Sequence, residues 1–238
     1  MADDLPDKNK RSSDVEAFLS KVALTPKRAG AAGKRGRLLF AMDATASRQP
    51  SWDTAAKIQG QMFTETANLG GLDIQLAFYR GFGEFKVSGW TDQEPELLRL
   101  MTSVHCLAGQ TQIGKVLQHA VNEAKQGQLN ALIFVGDSVE EDIDQLGHAA
   151  GALGLLGVPA FVFHEGMDPM AKFAFEQIAK LTGGACMRFD ASSAEALRAL
   201  LAAVAVFAAG GRAALEDKAK RDGGAVLQLT RQMRNSGP

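Results

Sequence analysis

The sequence predicts an α/β fold with a doubly wound, mostly parallel six-stranded sheet and helices on both faces. Apolar runs of strand length alternate with segments whose apolar residues recur at helical spacing, as in strands joined by crossover helices. The run 38–42 is continuously apolar, which is typical of a strand buried on both faces of a parallel sheet. The run 131–135 has the same character. These two runs therefore predict the middle of the sheet.

The remaining elements follow from periodicity and from capping and turn residues. The glycine-containing connection 81–83 is short enough for a hairpin, so the third strand is predicted to be an antiparallel edge strand. Ser51 is a possible N-cap, and Asp137 is predicted to open a helix with acidic residues in its first turn. With the strands numbered in chain order, the sheet order 3-2-1-4-5-6 fits the two central runs. The predicted strands are 38–42, 73–80, 84–90, 131–135, 158–164 and 185–189, and the predicted helices are 51–67, 95–104, 111–125, a segment from Asp137 onward, 169–182 and 193–209.

The two ends of the chain differ from the middle. Residues 1–35 are expected to form a flexible basic arm with a short amphipathic helix. The apolar stripe of that helix contains Phe18 and Leu19, and it docks either on this protein or on a partner. Residues 36–209 are predicted to be the folded domain, and residues 210–238 a charged tail.

Composition excludes several classes of function. The chain has 238 residues, of which 46% are hydrophobic, so one sizeable core is expected. A net charge of −1 gives no general case for binding nucleic acid or an anionic membrane. The polar start has no signal-peptide apolar region, and the two cysteines, Cys106 and Cys186, form no disulfide or zinc pattern. A cytoplasmic protein with reduced, structural thiols is therefore expected.

Oxygen-bearing side chains follow the central strands. Asp43 ends the first strand and is followed by Thr45 and Ser47, whereas Asp137 ends the fourth strand. In the predicted order the chain reverses direction between these strands, and ligands bind outside their carboxyl ends. The loop that contains Thr111 returns to the same crevice. Carboxylate and hydroxyl oxygens suit a hard divalent cation such as Mg²⁺, although such residues at strand ends also serve as caps and turn formers.

These residues resemble the metal-ion-dependent adhesion site of von Willebrand factor type A domains. That family's site reads Asp-x-Ser-x-Ser, then a threonine, then an aspartate. Here Asp43, Thr45 and Ser47 match the first part, with threonine in place of the first serine; Thr111 matches the second and Asp137 the third. The resemblance covers roughly residues 36–209. It implies Mg²⁺ or Mn²⁺ bound directly by the hydroxyls and largely through water by the aspartates. It further implies a partner protein whose Asp or Glu completes the coordination, and a last helix that shifts when ligand binds.

The absence of an export signal makes the chain resemble the bacterial intracellular members, which serve in multiprotein assemblies. The resemblance implies a docking face around the site. We expect that face to contain Arg48, Gln49, Phe82, Gln110 and Glu140.

Two other functions remain open. The chain is a scaffold that binds through its N-terminal arm and carries a structural metal, or it is a Mg²⁺-dependent phosphoryl-transfer or hydrolytic enzyme. The sequence has no Gly-x-x-x-x-Gly-Lys-Ser/Thr phosphate loop and no Gly-x-Ser-x-Gly elbow. Cys106, His105 and His164 are each better explained as structural residues than as catalytic ones. We therefore expect a binding module rather than an enzyme.

Overall fold

The computed structural model describes residues 35–189 and 194–222. Apart from Arg35, the predicted basic arm with its amphipathic helix lies outside the described residues, as does the part of the predicted tail 210–238 that follows residue 222. The strands are β1 (Gly36–Asp43), β2 (Leu72–Arg80), β3 (Glu84–Thr91), β4 (Ala131–Gly136), β5 (Ala160–Glu165) and β6 (Ala185–Phe189). The helices are α1 (Gln49–Ile58), α2 (Gly60–Thr66), α3 (Glu94–Thr102), α4 (Ile113–Gln126), α5 (Ile143–Leu155), α6 (Pro169–Thr182) and α7 (Ala194–Asp222).

The six strands form one sheet in the order β3-β2-β1-β4-β5-β6. All neighbouring strands are parallel except β2 and β3, which are antiparallel. The predicted fold class is therefore confirmed. The parallel register places Asp43 opposite Tyr79 and Gly136 opposite His164, so the carboxyl ends of the four central strands lie along one edge.

Strand β1 separates two apolar layers. Leu38, Phe40 and Met42 face the layer that contains α1, α2, α3 and α7, whereas Leu39 and Ala41 face the layer that contains α4, α5 and α6. All five side chains are fully buried. The uninterrupted apolar run was needed because both faces of this strand are covered.

Several predicted boundaries are wrong for local reasons. The helix predicted over 51–67 begins earlier, at Gln49, and is divided at Gln59 into α1 and α2. Ser51 lies inside α1 and is not its N-cap. Helix α5 begins at Ile143, and its N-cap is Asp142, so Asp137 and its acidic neighbours form a loop and not a first turn. Helix α7 continues past the predicted end at 209 to Asp222, with non-helical backbone angles at Gly211.

Among the described residues, no helix combines the length and the apolar composition needed to cross a bilayer.

Candidate metal site

Asp43 is a buried carboxylate at the end of β1, where the order in which the chain adds strands to the sheet reverses. Its side chain is 1% exposed. Oδ1 accepts a hydrogen bond of 2.7 Å from the Thr45 backbone N–H, whereas Oδ2 has no hydrogen-bond partner among the described residues. The pKa of Asp43 is raised to about 6, chiefly by burial and to a smaller extent by the nearby Asp137, against the opposing effect of the hydrogen bonds from Thr45. A nearby cation would stabilise the ionised form of a carboxyl group that is buried in this way.

The floor beneath Asp43 is formed by Tyr79 on the neighbouring strand. The Tyr79 ring is fully buried and stacks near Phe134, with 6.3 Å between the ring centroids. Its hydroxyl lies close enough to Asp43 to lower the pKa of that carboxyl, but it has no hydrogen-bond partner of normal geometry among the described residues. Burial, followed by the charge of Asp43, raises the pKa of Tyr79 well above its usual value. The phenol therefore stays neutral.

The turn after β1 is hydrogen-bonded to the loop that follows β4. Residues 46–48 form a single 3₁₀ turn, closed by a hydrogen bond of 2.9 Å from the Arg48 N–H to the Thr45 carbonyl. This turn exposes Ser47, whose Oγ donates a hydrogen bond of 3.0 Å to Asp137 Oδ2. The structure thus joins the loops that follow β1 and β4, as expected from the sheet order.

Arg48 lies on the inner side of the same turn and is only 4% exposed. Its Nη1 lies 3.0 Å from Asp137 Oδ2, and its Nη2 pairs with Glu165 at the end of β5. The Ser51 hydroxyl bridges the two, since it accepts from Nη2 at 2.6 Å and donates to Glu165. The expectation that Arg48 belongs to an exposed docking face is therefore wrong. The guanidinium of Arg48 can be buried here because it pairs with two carboxylates, those of Asp137 and Glu165.

Thr111 is brought to the site by a third loop. Its backbone N–H donates to Glu140 Oε2 at 3.1 Å, and its Oγ1 accepts from the Glu140 N–H at 3.0 Å. This loop is also held against the loop that follows β1, because the Leu107 N–H donates to the Ala44 carbonyl at 3.0 Å. The Gln110 N–H donates to the Gly81 carbonyl at 3.2 Å. Thr111 therefore occupies a loop fixed to both its neighbours.

The other expected docking residues divide by exposure. Phe82 is 85% exposed at the tip of the β2–β3 turn, and Gln110 is also exposed. Glu140 is exposed as a residue, but its carboxylate is engaged by Thr111. Gln49 is half-buried, and its Oε1 accepts a hydrogen bond of 3.0 Å from the Cys106 N–H. Phe82 and Gln110 are thus the members available to a partner.

Three residues near the crevice carry side chains of types that often act in catalysis: Cys106, His164 and His105. Burial raises the pKa of the Cys106 thiol to about 11, so this group is not a ready nucleophile at neutral pH. Burial lowers the pKa of His164, whose ring packs edge-to-face on Phe175 with 5.3 Å between the ring centroids. The His105 carbonyl accepts a hydrogen bond of 2.7 Å from Arg80, which fixes the loop that contains it.

The donor set fits a hard divalent cation. In the part of the chain that the structure describes, no group of three or more His, Cys, Asp or Glu side chains could hold a metal ion by itself. Hydroxyl groups would have to supply the remaining ligands, as Mg²⁺ and Mn²⁺ accept readily. Thr45, Ser47 and Thr111 carry hydroxyls on the loops that meet around Asp43 and Asp137. The buried Oδ2 of Asp43, which has no hydrogen-bond partner in the described part of the chain, supplies the uncompensated charge.

Comparison with known proteins identifies the fold. No protein-family model matches the chain, and no curated protein matches it. Among solved structures, a von Willebrand factor type A protein from Catenulispora acidiphila is similar with a TM-score of 0.60 at 16% identity, over 71% of this chain and 42% of that one. The SpRpn10 VWA domain is similar with a TM-score of 0.53 at 14% identity, over 75% of this chain and 98% of that one.

The chain has the fold of von Willebrand factor type A domains. A pilus adhesin, SpaC from Lactobacillus rhamnosus GG, is also similar, with a TM-score of 0.57 at 11% identity, over 81% of this chain and 31% of that one. The chain therefore spans less than half the length of two of these three structures. At these identities the likeness concerns the fold.

Within this von Willebrand factor type A fold, two residues important to the site had not been found from the sequence. Glu165 ends β5 and holds Arg48. Glu141 accepts hydrogen bonds from the backbone N–H groups of Ile113 at 2.6 Å and Gly114 at 2.8 Å, so it caps α4 from another loop. The position of Glu165 at the carboxyl end of a parallel strand was a usable signal. Nothing in the sequence indicated the cap by Glu141.

Proposed function

We propose that this chain is a protein-interaction module that binds an acidic residue of a partner protein through a divalent cation at the carboxyl edge of its sheet. Mg²⁺ or Mn²⁺ would be held by Asp43, Thr45, Ser47, Thr111 and Asp137. The observation that carries the proposal is the buried Asp43 Oδ2, which has no hydrogen-bond partner among the described residues. Two contacts support the rest of the set: the Ser47 hydroxyl donates to Asp137, and the Thr111 hydroxyl accepts from Glu140 on the loop that contains Asp137.

The reason for an acidic partner lies in the charge of the ligand set. Hydroxyls are neutral ligands, so a cation bound largely by them keeps most of its positive charge for another anion. Ser47, Gln110 and Phe82 are exposed around the crevice, so a partner side chain can approach there. One structural neighbour is a pilus adhesin, which is compatible with a role in binding. The partner's carboxylate would then complete the coordination.

The site gives less support to an enzyme. A thiol with a pKa raised to about 11 and a histidine packed against Phe175 offer no ready nucleophile or base beside Asp43. We propose that the chain binds and does not catalyse. A screen with phosphate esters and Mg²⁺ tests this directly, and turnover that Asp43→Ala abolishes would favour the enzyme instead.

We place this module in the bacterial cytoplasm, within a multiprotein assembly. Cys106 is a free thiol, as is usual in reducing compartments.

Affinity capture with and without divalent cations tests the proposal. Tagged protein is incubated with lysate in Mg²⁺ or in EDTA, and captured proteins are identified by mass spectrometry. We expect specific partners only with Mg²⁺, and we expect Thr111→Ala to lose them. Thr111→Ser keeps the oxygen and should retain them. Thr64→Ala is the matched control, because the Thr64 hydroxyl is exposed and bonds only to the Gly60 carbonyl of its own helix at 3.2 Å. Partners that survive both EDTA and Thr111→Ala would contradict the proposal.

Deleting residues 1–34 separates this function from an arm-based scaffold. The deletion ends before Arg35, which pairs with Asp73 and Asp92 at distances of 2.9 Å and 3.0 Å. We expect the shortened chain to retain its cation-dependent partners. Loss of the partners with intact metal binding would instead favour a scaffold that binds through its arm.

A further inference from the structure

A buried arginine stands beside the proposed cation site and contacts one of its carboxylates. Arg48 is 4% exposed, and its Nη1 lies 3.0 Å from Asp137 Oδ2, the same oxygen that accepts the Ser47 hydroxyl at 3.0 Å. The guanidinium therefore already neutralises Asp137. Asp43 Oδ2, in contrast, has no hydrogen-bond partner among the described residues.

The other end of the guanidinium has a second acceptor. Nη2 pairs with Glu165, and the Ser51 hydroxyl joins both groups. The Glu165 side chain is 13% exposed and that of Asp137 is 23% exposed, so both pairs are shielded from bulk water. A planar guanidinium with several N–H donors is suited to contact two carboxylates at once, and it can strengthen one contact while it loses the other.

We infer that Arg48 is an internal cation that competes with the divalent cation for Asp137, and that Glu165 holds the guanidinium when it leaves. This inference rests on the proposed function, because it concerns the regulation of the same site. A divalent ion among Ser47, Thr45 and Asp43 repels a positive charge on Asp137. Binding is therefore coupled to the transfer of Arg48 toward Glu165. The strength of that pair sets the affinity of the site for the cation.

The test is a double-mutant cycle read by Mn²⁺ affinity, measured by calorimetry or by the electron paramagnetic resonance signal of free Mn²⁺. Arg48→Gln should tighten binding about tenfold, because the competitor is removed. Glu165→Gln should weaken it about tenfold, since Arg48 then has Asp137 as its main acceptor. A simple effect of charge would change the Mn²⁺ affinity of each single variant in the direction just given. Only the combined variant therefore distinguishes this effect from competition by Arg48.

In the Arg48→Gln/Glu165→Gln variant the net charge equals that of the wild type. If Glu165 acts through Arg48, the combined variant binds Mn²⁺ about as tightly as Arg48→Gln. If both residues act only by charge, their effects cancel and its affinity returns to the wild-type value. Circular dichroism shows whether Arg48→Gln alone still folds. If it does not, the combined variant can still be used, because it leaves no uncompensated charge at position 165.

Arg99→Gln and Glu96→Gln are charge-matched controls. They alter an ion pair of 2.7 Å on the outer face of α3, and each should change the affinity less than twofold. Additive effects in the cycle, with a wild type that binds Mn²⁺, would overturn the inference and leave the proposed function standing. Binding by the combined variant but not by the wild type would support the inference and overturn the proposed function. Failure of all variants to bind would overturn both.

Discussion

At the scale of single residues, Asp43 is a buried carboxylate whose environment lowers the stability of the fold. A carboxylate that is 1% exposed normally has its oxygens fully hydrogen-bonded or paired. Here Oδ2 has no hydrogen-bond partner among the described residues, and the adjacent Tyr79 hydroxyl is equally without one. Local conflicts of this kind are expected at functional sites. The uncompensated charge lowers the stability of the folded protein, and it is the basis of the proposed cation site.

The pH dependence of stability follows from the displaced pKa of Asp43. The pKa rises from 3.8 to about 6 on folding, so between these values the folded chain holds a proton that the unfolded chain has lost. Stability from this group is present below pH 4 and is lost as the pH rises through about 6. The difference corresponds to about 3 kcal/mol. We expect Asp43→Asn to be more stable than the wild type above pH 7 in EDTA, by up to that amount.

Urea denaturation of both proteins from pH 4 to pH 8 measures this effect. The gap between the two free energies of unfolding should open as the pH rises, and Mn²⁺ should narrow it for the wild type alone. Parallel curves would show that Asp43 is not desolvated in the folded protein.

At the scale of elements, three loops from different parts of the chain are tied to one another by backbone contacts. The loop before α4 lies directly against the β2–β3 turn, and an added Cβ at Gly109 would lie 2.0 Å from the Gly81 carbonyl oxygen. The Gln110 N–H donates to the same oxygen. Only glycine permits this approach, which positions Thr111 two residues later.

Gly109→Ala should therefore disturb both stability and the site. Because the steric conflict is with backbone, the two loops must separate, at a cost of about 1–3 kcal/mol. We expect Mn²⁺ affinity to fall as Thr111 moves. Gly89→Ala on β3 is the control, since an added Cβ there meets no atom within 4 Å. Equal behaviour of the two variants in urea denaturation and Mn²⁺ titration would contradict this prediction.

The start of α4 depends on a carboxylate from another loop. Glu141 accepts hydrogen bonds from the Ile113 and Gly114 N–H groups, at the positive end of the helix dipole. Glu141→Ala should lower the free energy of unfolding by about 1–2 kcal/mol, as the loss of a helix cap does. Glu176→Ala is the comparison, because Glu176 makes an exposed pair of 3.7 Å with Lys172 on α6 and should have little effect. Equal losses in the two variants would argue against this cap.

At the scale of the whole molecule, the site edge and helix α7 are connected through β1. Leu200, Val204 and Phe207 of α7 are buried in the same apolar layer as Leu38 and Phe40. At the start of the strand, an added Cβ at Gly36 would lie 2.5 Å from the Ala208 carbonyl oxygen, so helix and strand are in close contact. Much of the helix surface consists of small side chains, including Ala202, Ala203 and Ala205.

A sliding movement of α7 on ligand binding is therefore a prediction for the whole domain. Small side chains present few ridges that would lock the helix in one position. We expect amide hydrogen exchange in α7 to change when Mn²⁺ and a captured partner are added, whereas α6 should keep its protection. Unchanged exchange in α7 would show that the helix is fixed.

The sequence by itself determined the fold class, the strand order and the meeting of Asp43 and Asp137. These depend on hydrophobic periodicity, which records directly which face of each element is buried. The acidic loop shows where this reasoning ends. Asp137, Glu140 and Glu141 were assigned to the first turn of the next helix, but they bind Arg48, Thr111 and the start of α4. Only the tertiary structure decided these partners, because a charge pairs with whatever the fold brings within about 3 Å.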